Sequence, residues 1–268
     1  MKKNIVIALL SILVLTSCGG YNTLLKSTDY DYKYEAAKCY FTSGQYSKAE
    51  TLLNELITIE KATPKGEESL YMLGMSYFNQ GDYPTAAQTF TTYYTTYPKG
   101  DYTEEARFFS GKAYYLDTAE PRLDQTNTYS AIQQLQMFLE FYPQSRRRAE
   151  AQNMIFELQD KLVLKELYTA RLYYNLGTYL GNNYQSCVIV SQDALKDFPY
   201  SKYREELSML VLRSKYQIAV NSVAEKKTDR YKDAIDEYYG FKNEFPNSKY
   251  IKEATKIFDN SNSEVKDK

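Results

Sequence analysis

The chain has 268 residues and a formal charge of −1, enough length for one or two domains and no positive excess to attract nucleic acid in bulk. It contains no histidine, which excludes histidine triads, histidine metal sites and histidine pH switches. Tryptophan is absent as well, tyrosine numbers 29, and with only 11 glycines and 7 prolines the composition favours long helices over a turn-rich β fold.

At the start, Lys2 and Lys3 precede an apolar run over residues 5–15 that only Ser11 interrupts. The run is too short for the roughly 20 residues that span a bilayer, and no other apolar run approaches that length. It ends in Leu15-Thr16-Ser17-Cys18, which resembles the lipobox of bacterial lipoproteins. The resemblance implies a signal peptide over 1–17, cleavage before Cys18, and lipid on Cys18 as both S-diacylglycerol and N-acyl chain, with no other cofactor. The processed chain then carries a charge of −3, since Lys2 and Lys3 leave with the signal. Three acyl chains exceed the two hydrophobic signals that stable anchoring takes. The alternative is an ordinary signal peptide with a chance cysteine. Gly19 follows Cys18 where an aspartate accompanies inner-membrane retention in some lipoproteins, and no acidic cluster of the surface-display kind comes after it. The expected address is therefore the periplasmic face of the outer membrane, with 18–28 as a lipid-anchored linker. Cys39 and Cys187 fall in helical patterns where a small apolar residue is wanted, so buried free thiols are expected rather than a bridge.

Further along, four aromatic-proline pairs recur: Tyr97-Pro98, Tyr142-Pro143, Phe198-Pro199 and Phe245-Pro246. Fifteen residues before the prolines stand Tyr83, Thr128, Tyr184 and Tyr231, and three residues later come small side chains, Ala86, Ala131, Cys187 and Ala234. An earlier copy has Tyr46 and Ala49 without the closing proline. Fifteen residues make about four helical turns, which proline then ends. Asp101, Ser145, Ser201 and Ser248 are of types that cap a following helix, and Asp101 with Glu104 has capping-box spacing. The second copy pairs this helix with a preceding one over 67–80. Its Leu70, Leu73, Gly74, Tyr77, Gly81, Tyr83, Ala86, Phe90 and Pro98 occupy signature positions of the 34-residue tetratricopeptide repeat. Since one hairpin cannot bury its own apolar face, the reading is an all-α fold, an α-solenoid of about five hairpins.

The copies differ in detail. Residues 117–125 form a loop inside the third hairpin, and 146–180 read as one very long helix or two end to end. About ten extra residues precede Arg230, and the stretch after Asp259 is polar and expected to fray. The domain reading is repeats 1–3 over 29–144, repeats 4–5 over 145–258 and a polar tail over 259–268.

For chemistry, Glu67-Glu68, Glu104-Glu105 and Glu205-Glu206 recur at one repeat position, where a helix N-terminus favours acidic side chains. There is no P-loop, dinucleotide fingerprint, nucleophile elbow or zinc set, so no catalytic or metal residue is assigned and an enzyme is not expected. The first helices of three hairpins align at a 37-residue step, giving columns Tyr34, Tyr71, Phe108, then Phe41, Phe78, Tyr115, with Lys38, Met75, Lys112 between them. These nine residues could line a groove with aromatic walls and two lysines, suited to an extended peptide bearing an aromatic group and a carboxylate. The competing reading is that the aromatics are core. Tyr40, Tyr77 and Tyr114 should face the hairpin interiors.

A lipobox followed by five such repeats resembles the BamD family of β-barrel assembly lipoproteins, Bacteroidota type. The likeness is carried by Tyr21–Tyr30, Tyr114–Ile132, Leu176–Cys187 and Glu237–Tyr250. It implies a non-enzymatic scaffold. The amino-terminal repeats would receive targeting segments of unfolded outer-membrane proteins, and the carboxy-terminal ones would dock periplasmic domains of a BamA-like barrel assembly protein. Two alternatives are an envelope adaptor lipoprotein regulating a peptidoglycan enzyme and a glycan-binding lipoprotein. The lack of tryptophan platforms counts against the second.

Overall fold

The computed structural model describes residues 20–266, which place the expected signal peptide and Cys18 outside the described residues. Residues 20–25 are helical. Eleven helices follow: α1 (Tyr30–Thr42), α2 (Tyr46–Ile59), α3 (Pro64–Gln80), α4 (Tyr83–Thr96), α5 (Thr103–Leu116), α6 (Thr126–Phe141), α7 (Arg148–Leu176), α8 (Asn183–Asp197), α9 (Arg204–Val220), α10 (Ala224–Glu244) and α11 (Ile251–Lys266). No strand occurs among the described residues. The first ten helices pair into five antiparallel hairpins, the number the repeat spacing predicts.

The same local chemistry closes successive repeats. Tyr97, Tyr142, Phe198 and Phe245 each donate their N–H to the carbonyl four residues back, at 2.8–3.1 Å. The following proline cannot extend that ladder, so the helix stops. Three residues beyond each aromatic, the N–H of Gly100, Ser145, Ser201 and Ser248 turns back to the aromatic's carbonyl. The serines are not the N-caps their residue type suggests. They sit two residues earlier, and their hydroxyls accept the N–H of Arg147, Tyr203 and Tyr250. The expected capping box at Asp101 does not form either, because the Asp101 N–H goes to Glu67 at 2.8 Å.

The small residues of the repeat meet their prediction: Ala49, Ala86, Ala131, Cys187 and Ala234 are all fully buried. A second small column sits on the first helices. A Cβ on Gly74 would lie 2.7 Å from the Phe90 ring, and one on Gly111 would lie 2.8 Å from Leu135. These contacts leave no room for a methyl group, so the absent side chain sets how close paired helices come.

The described chain divides into two compact units, one running through Thr118 and including Tyr129–Gln152, the other comprising Ala119–Thr128 and Asn153 onward. In unit 1 the hairpins share cores: Leu52, Leu53 and Leu56 of α2 pack with Met72 and Leu73 of α3. Phe90 and Tyr93 of α4 pack with Ala106 and Ala113 of α5. Lys33, 1% exposed, ties the start of the described chain down, donating to the Leu25 carbonyl at 3.0 Å and to Glu55 at 2.6 Å. In unit 2, Leu167 and Ala170 of α7, Cys187 and Ala194 of α8 and Leu210 of α9 form one cluster, and Leu212, Phe241 and Ile257 belong to the next.

Four expectations resolve here. The 146–180 stretch is one 29-residue helix, α7. The extra residues before Arg230 lengthen α10 at its start. The 117–125 segment is ordered. Buried Gln125 donates to the Glu120 carbonyl at 2.7 Å and accepts from Thr128, and Arg122 stacks on Tyr168 at 4.5 Å. Residues 260–266, expected to fray, are helical instead: α11 runs to Lys266 with Ser261 buried and Asn260 bonded to Tyr216. Cys39 and Cys187 are free thiols, but only Cys187 is buried, which pushes its thiol pKa up. Cys39 is exposed, against expectation, because it lies on the side of α1 turned away from α2 and α3.

Candidate functional site

Within unit 1 the three first helices α1, α3 and α5 bring the aligned columns together. The column Tyr34, Tyr71, Phe108 does not line an open groove. Tyr34 is 6% exposed, Phe108 is fully buried, and half-buried Tyr71 stacks flat on Tyr102 with ring centroids 4.3 Å apart. The next hairpin meets Tyr34 through Glu68 and Tyr71 through Tyr102, while Phe108 packs on Phe138 inside its own hairpin beneath Arg147.

The recurring glutamates supply part of this contact between repeats. The Tyr34 hydroxyl donates to Glu68, and the Tyr71 hydroxyl to Glu105 at 2.8 Å, each reaching 34 residues ahead to the next hairpin. Glu67 accepts from the Tyr93 hydroxyl at 2.6 Å and Glu105 also meets Arg147 at 3.4 Å. In unit 2 the same repeat position, Glu206, accepts from Arg171. Glu68, Glu105 and Glu206, read from sequence as helix-terminus residues, are thus also inter-repeat acceptors, a role visible only once residues 34 or 35 apart are in contact.

The column Phe41, Phe78, Tyr115 is half-buried. Phe41 packs edge-on to Tyr46 at 5.8 Å, and Phe78 to Tyr83 at 5.5 Å, so the first two hairpins repeat one ring pair across the turn. Met75 is half-buried between the aromatic columns. Lys38 and Lys112 are partly exposed but not free: Lys38 pairs with Glu68 at 2.9 Å and Lys112 with Glu150 at 2.7 Å. Tyr40 and Tyr77 pack against the first core, and Tyr114 against the second. The face therefore offers a half-exposed apolar row flanked by neutralised ion pairs. A cleft of about 850 Å³ between the start of α5 and the α6–α7 turn is lined by both signs of charge, with Glu104, Glu105, Arg146, Arg147 and Glu150 among its walls.

The phenol–carboxylate ties carry a pH dependence. Burial first, and the neighbouring carboxylate second, push the Tyr34, Tyr71 and Tyr93 hydroxyls above the ordinary tyrosine range. A phenol held neutral in the fold contributes stability that is complete below its unfolded pKa of about 10 and is lost as pH rises above it. At Glu68, burial favours the neutral acid, but hydrogen bonds from Tyr34 and Lys38 outweigh it and hold the carboxyl below its usual value. Its contribution is present above the unfolded pKa and is lost as pH falls through the folded one. The thermal midpoint should accordingly fall above pH ~10, and Tyr71→Phe should flatten that alkaline slope. Circular dichroism melts with parallel absorbance titration of tyrosine test this, and an unchanged slope in Tyr71→Phe would count against the tie.

Among the described residues, no group of acidic or cysteine side chains could hold a metal ion, and no helix is long and apolar enough to cross a membrane. Side chains and fold together define a tandem helical-hairpin scaffold, a class that works through its surfaces. A family model described as YfiO, outer membrane lipoprotein, matches residues 27–217. The chain belongs to this family, that of BamD, whose members are non-enzymatic assembly lipoproteins. No curated protein matches the sequence. Among solved structures, a Podosopora anserina protein described as a kinesin light chain with nearly identical TPR-like repeats is 12% identical. That match covers 81% of this chain and 96% of the other at a TM-score of 0.33. A single-substitution variant of it covers 81% and 95% at 12% identity and a TM-score of 0.34.

Proposed function

We propose that this lipoprotein is held by lipid on Cys18 at the periplasmic face of the outer membrane. There it serves as a scaffold of β-barrel assembly. Unit 1 receives extended segments of unfolded outer-membrane proteins along the row Phe41, Met75, Phe78 and Tyr115. The carboxy-terminal hairpins dock periplasmic domains of a BamA-like barrel assembly protein. The observation that carries the reading is the family match over 27–217, laid on repeats whose first helices leave an apolar row half-exposed. Of the nine groove residues read from sequence, Tyr34 and Phe108 hold the hairpins together, and Lys38 and Lys112 brace the rim through their glutamates. Client discrimination then rests on apolar contact more than on lysine steering.

Affinity purification with the full chain from solubilised outer membranes is expected to recover a large barrel protein with periplasmic repeats. Recovery of a peptidoglycan hydrolase in its place would favour an adaptor role. Replacing Phe41, Met75 and Phe78 together by alanine should weaken binding of unfolded barrel segments about 10- to 100-fold, since each gives up part of a side chain's apolar burial. Helicity should be retained. Unchanged binding would remove this row from the site.

A further inference from the structure

The turn between α7 and α8 differs from those of the first two hairpins. Those are short and polar, Ser43-Gly44-Gln45 and Gly81-Asp82, and expose no large apolar side chain, whereas the longer 117–125 loop of the third exposes Leu123. Residues 177–182 instead present Tyr179, 67% exposed, and Leu180, 90% exposed. Leu180 has φ +54°, a left-handed conformation that leucine rarely adopts and that puts its side chain on the outside of the turn. The tip is nevertheless built: Asn183 donates its N–H to the Gly177 carbonyl at 2.9 Å and its side-chain amide to the Tyr179 carbonyl at 2.7 Å. Leu172 and Leu176 are exposed just before it.

Charge is missing as well. From Leu172 to Gln192 there are 21 residues without one charged side chain, in a chain that is 25% charged. Helices α7 and α9 run parallel, with Arg171 on Glu206 and Tyr174 near Arg213. The α9–α10 turn therefore emerges on the same edge of unit 2, and it exposes Val220 and Val223. Below the tip, a cleft of about 500 Å³ carries Arg122, Lys165 and Arg171. Arg171 lies about 8 Å along the helix from Leu176 at 1.5 Å per residue. Asp124 faces Lys165, and Glu206 binds Arg171, so the collar keeps only a small positive excess.

We propose that this tip contacts the phospholipid bilayer, seating Tyr179 and Leu180 in its interfacial layer. The inference rests on the lipoprotein reading, because membership of an outer membrane lipoprotein family puts a phospholipid surface beside the chain. A turn this narrow offers a protein partner far less than the ~800 Å² a stable interface buries on each side. A bilayer surrounds the same turn completely and accepts tyrosine and leucine with neutral neighbours at its interface.

Because the chain has no tryptophan, Leu180→Trp makes a single reporter. The lipidated full chain would be reconstituted into phosphatidylethanolamine–phosphatidylglycerol vesicles with and without brominated acyl chains. Gln45→Trp in the α1–α2 turn serves as control, and Tyr179→Trp as a second reporter should Leu180→Trp misfold. The expected result is a blue-shifted emission that brominated lipid quenches about twofold or more, as for groups 5–10 Å into the headgroup–acyl boundary, with Gln45→Trp unaffected. Vesicle-bound protein with unquenched reporters, or equal quenching at both turns, would overturn the tip. A blue shift that appears only on adding a barrel protein, without lipid quenching, would also overturn it and mark a protein contact. Failure of the lipidated chain to sediment with vesicles would sink the Cys18 reading and the tip together.

Discussion

Phe108→Ala is expected to destabilise unit 1 by about 3–5 kcal/mol, the range for emptying a buried aromatic site. The ring is fully buried, and its centroid lies 5.4 Å from both Phe109 and Phe138. The Arg147 guanidinium covers it at 4.6 Å. Truncation would leave a cavity between α5 and α6 and would strip Arg147 of a ring face while it also holds Glu105. Against a typical domain stability of about 5–15 kcal/mol, such a loss is a large fraction. Urea denaturation followed by circular dichroism measures it, with Phe156→Ala as comparison, since that ring is 53% exposed. A cost for Phe108→Ala no greater than for Phe156→Ala would put the ring back on an accessible face and restore the groove reading of its column.

Cys18→Ala is expected to move essentially all of the protein from the membrane fraction to the soluble periplasm. Among the described residues no helix is long and apolar enough to cross a bilayer, and in the proposed anchoring retention rests on the acyl chains of Cys18. Each buried methylene contributes about 0.8 kcal/mol, and three chains make attachment effectively permanent, whereas a tip contact or a partner protein does not survive alkaline carbonate. Fractionation before and after a carbonate wash separates these cases. If the Cys18→Ala protein stays with washed membranes, the lipobox reading fails.

The hairpins were legible because their signals are short-range. Aromatic-proline pairs stop helices through backbone bonding within four residues. The small residues at Ala49, Ala86, Ala131, Cys187 and Ala234 mark where paired helices touch, and all five are buried. The candidate site was legible only in part. Periodicity placed Tyr34, Tyr71 and Phe108 on one helix face and Phe41, Phe78 and Tyr115 on the next, but it left open which face a neighbouring hairpin covers. Lys33 gave no signal at all, since a lysine on α1 reads as solvated until Glu55 and the Leu25 carbonyl are seen beside it. The turn at Tyr179-Leu180 could have been flagged by its long uncharged surroundings. Its left-handed leucine and exposed side chains could not.

By itself, then, the sequence determined an all-helical chain of five hairpins, their turns, their close-approach residues and the family. Each of these depends on side-chain size and backbone bonding within one repeat. Only the tertiary structure decided that Glu68, Glu105 and Glu206 receive phenols or a guanidinium from the repeat before, that the two groove lysines are already paired, and which aromatics are sealed. Those outcomes depend on how one hairpin leans on the next, an angle set by packing between residues some 34 positions apart.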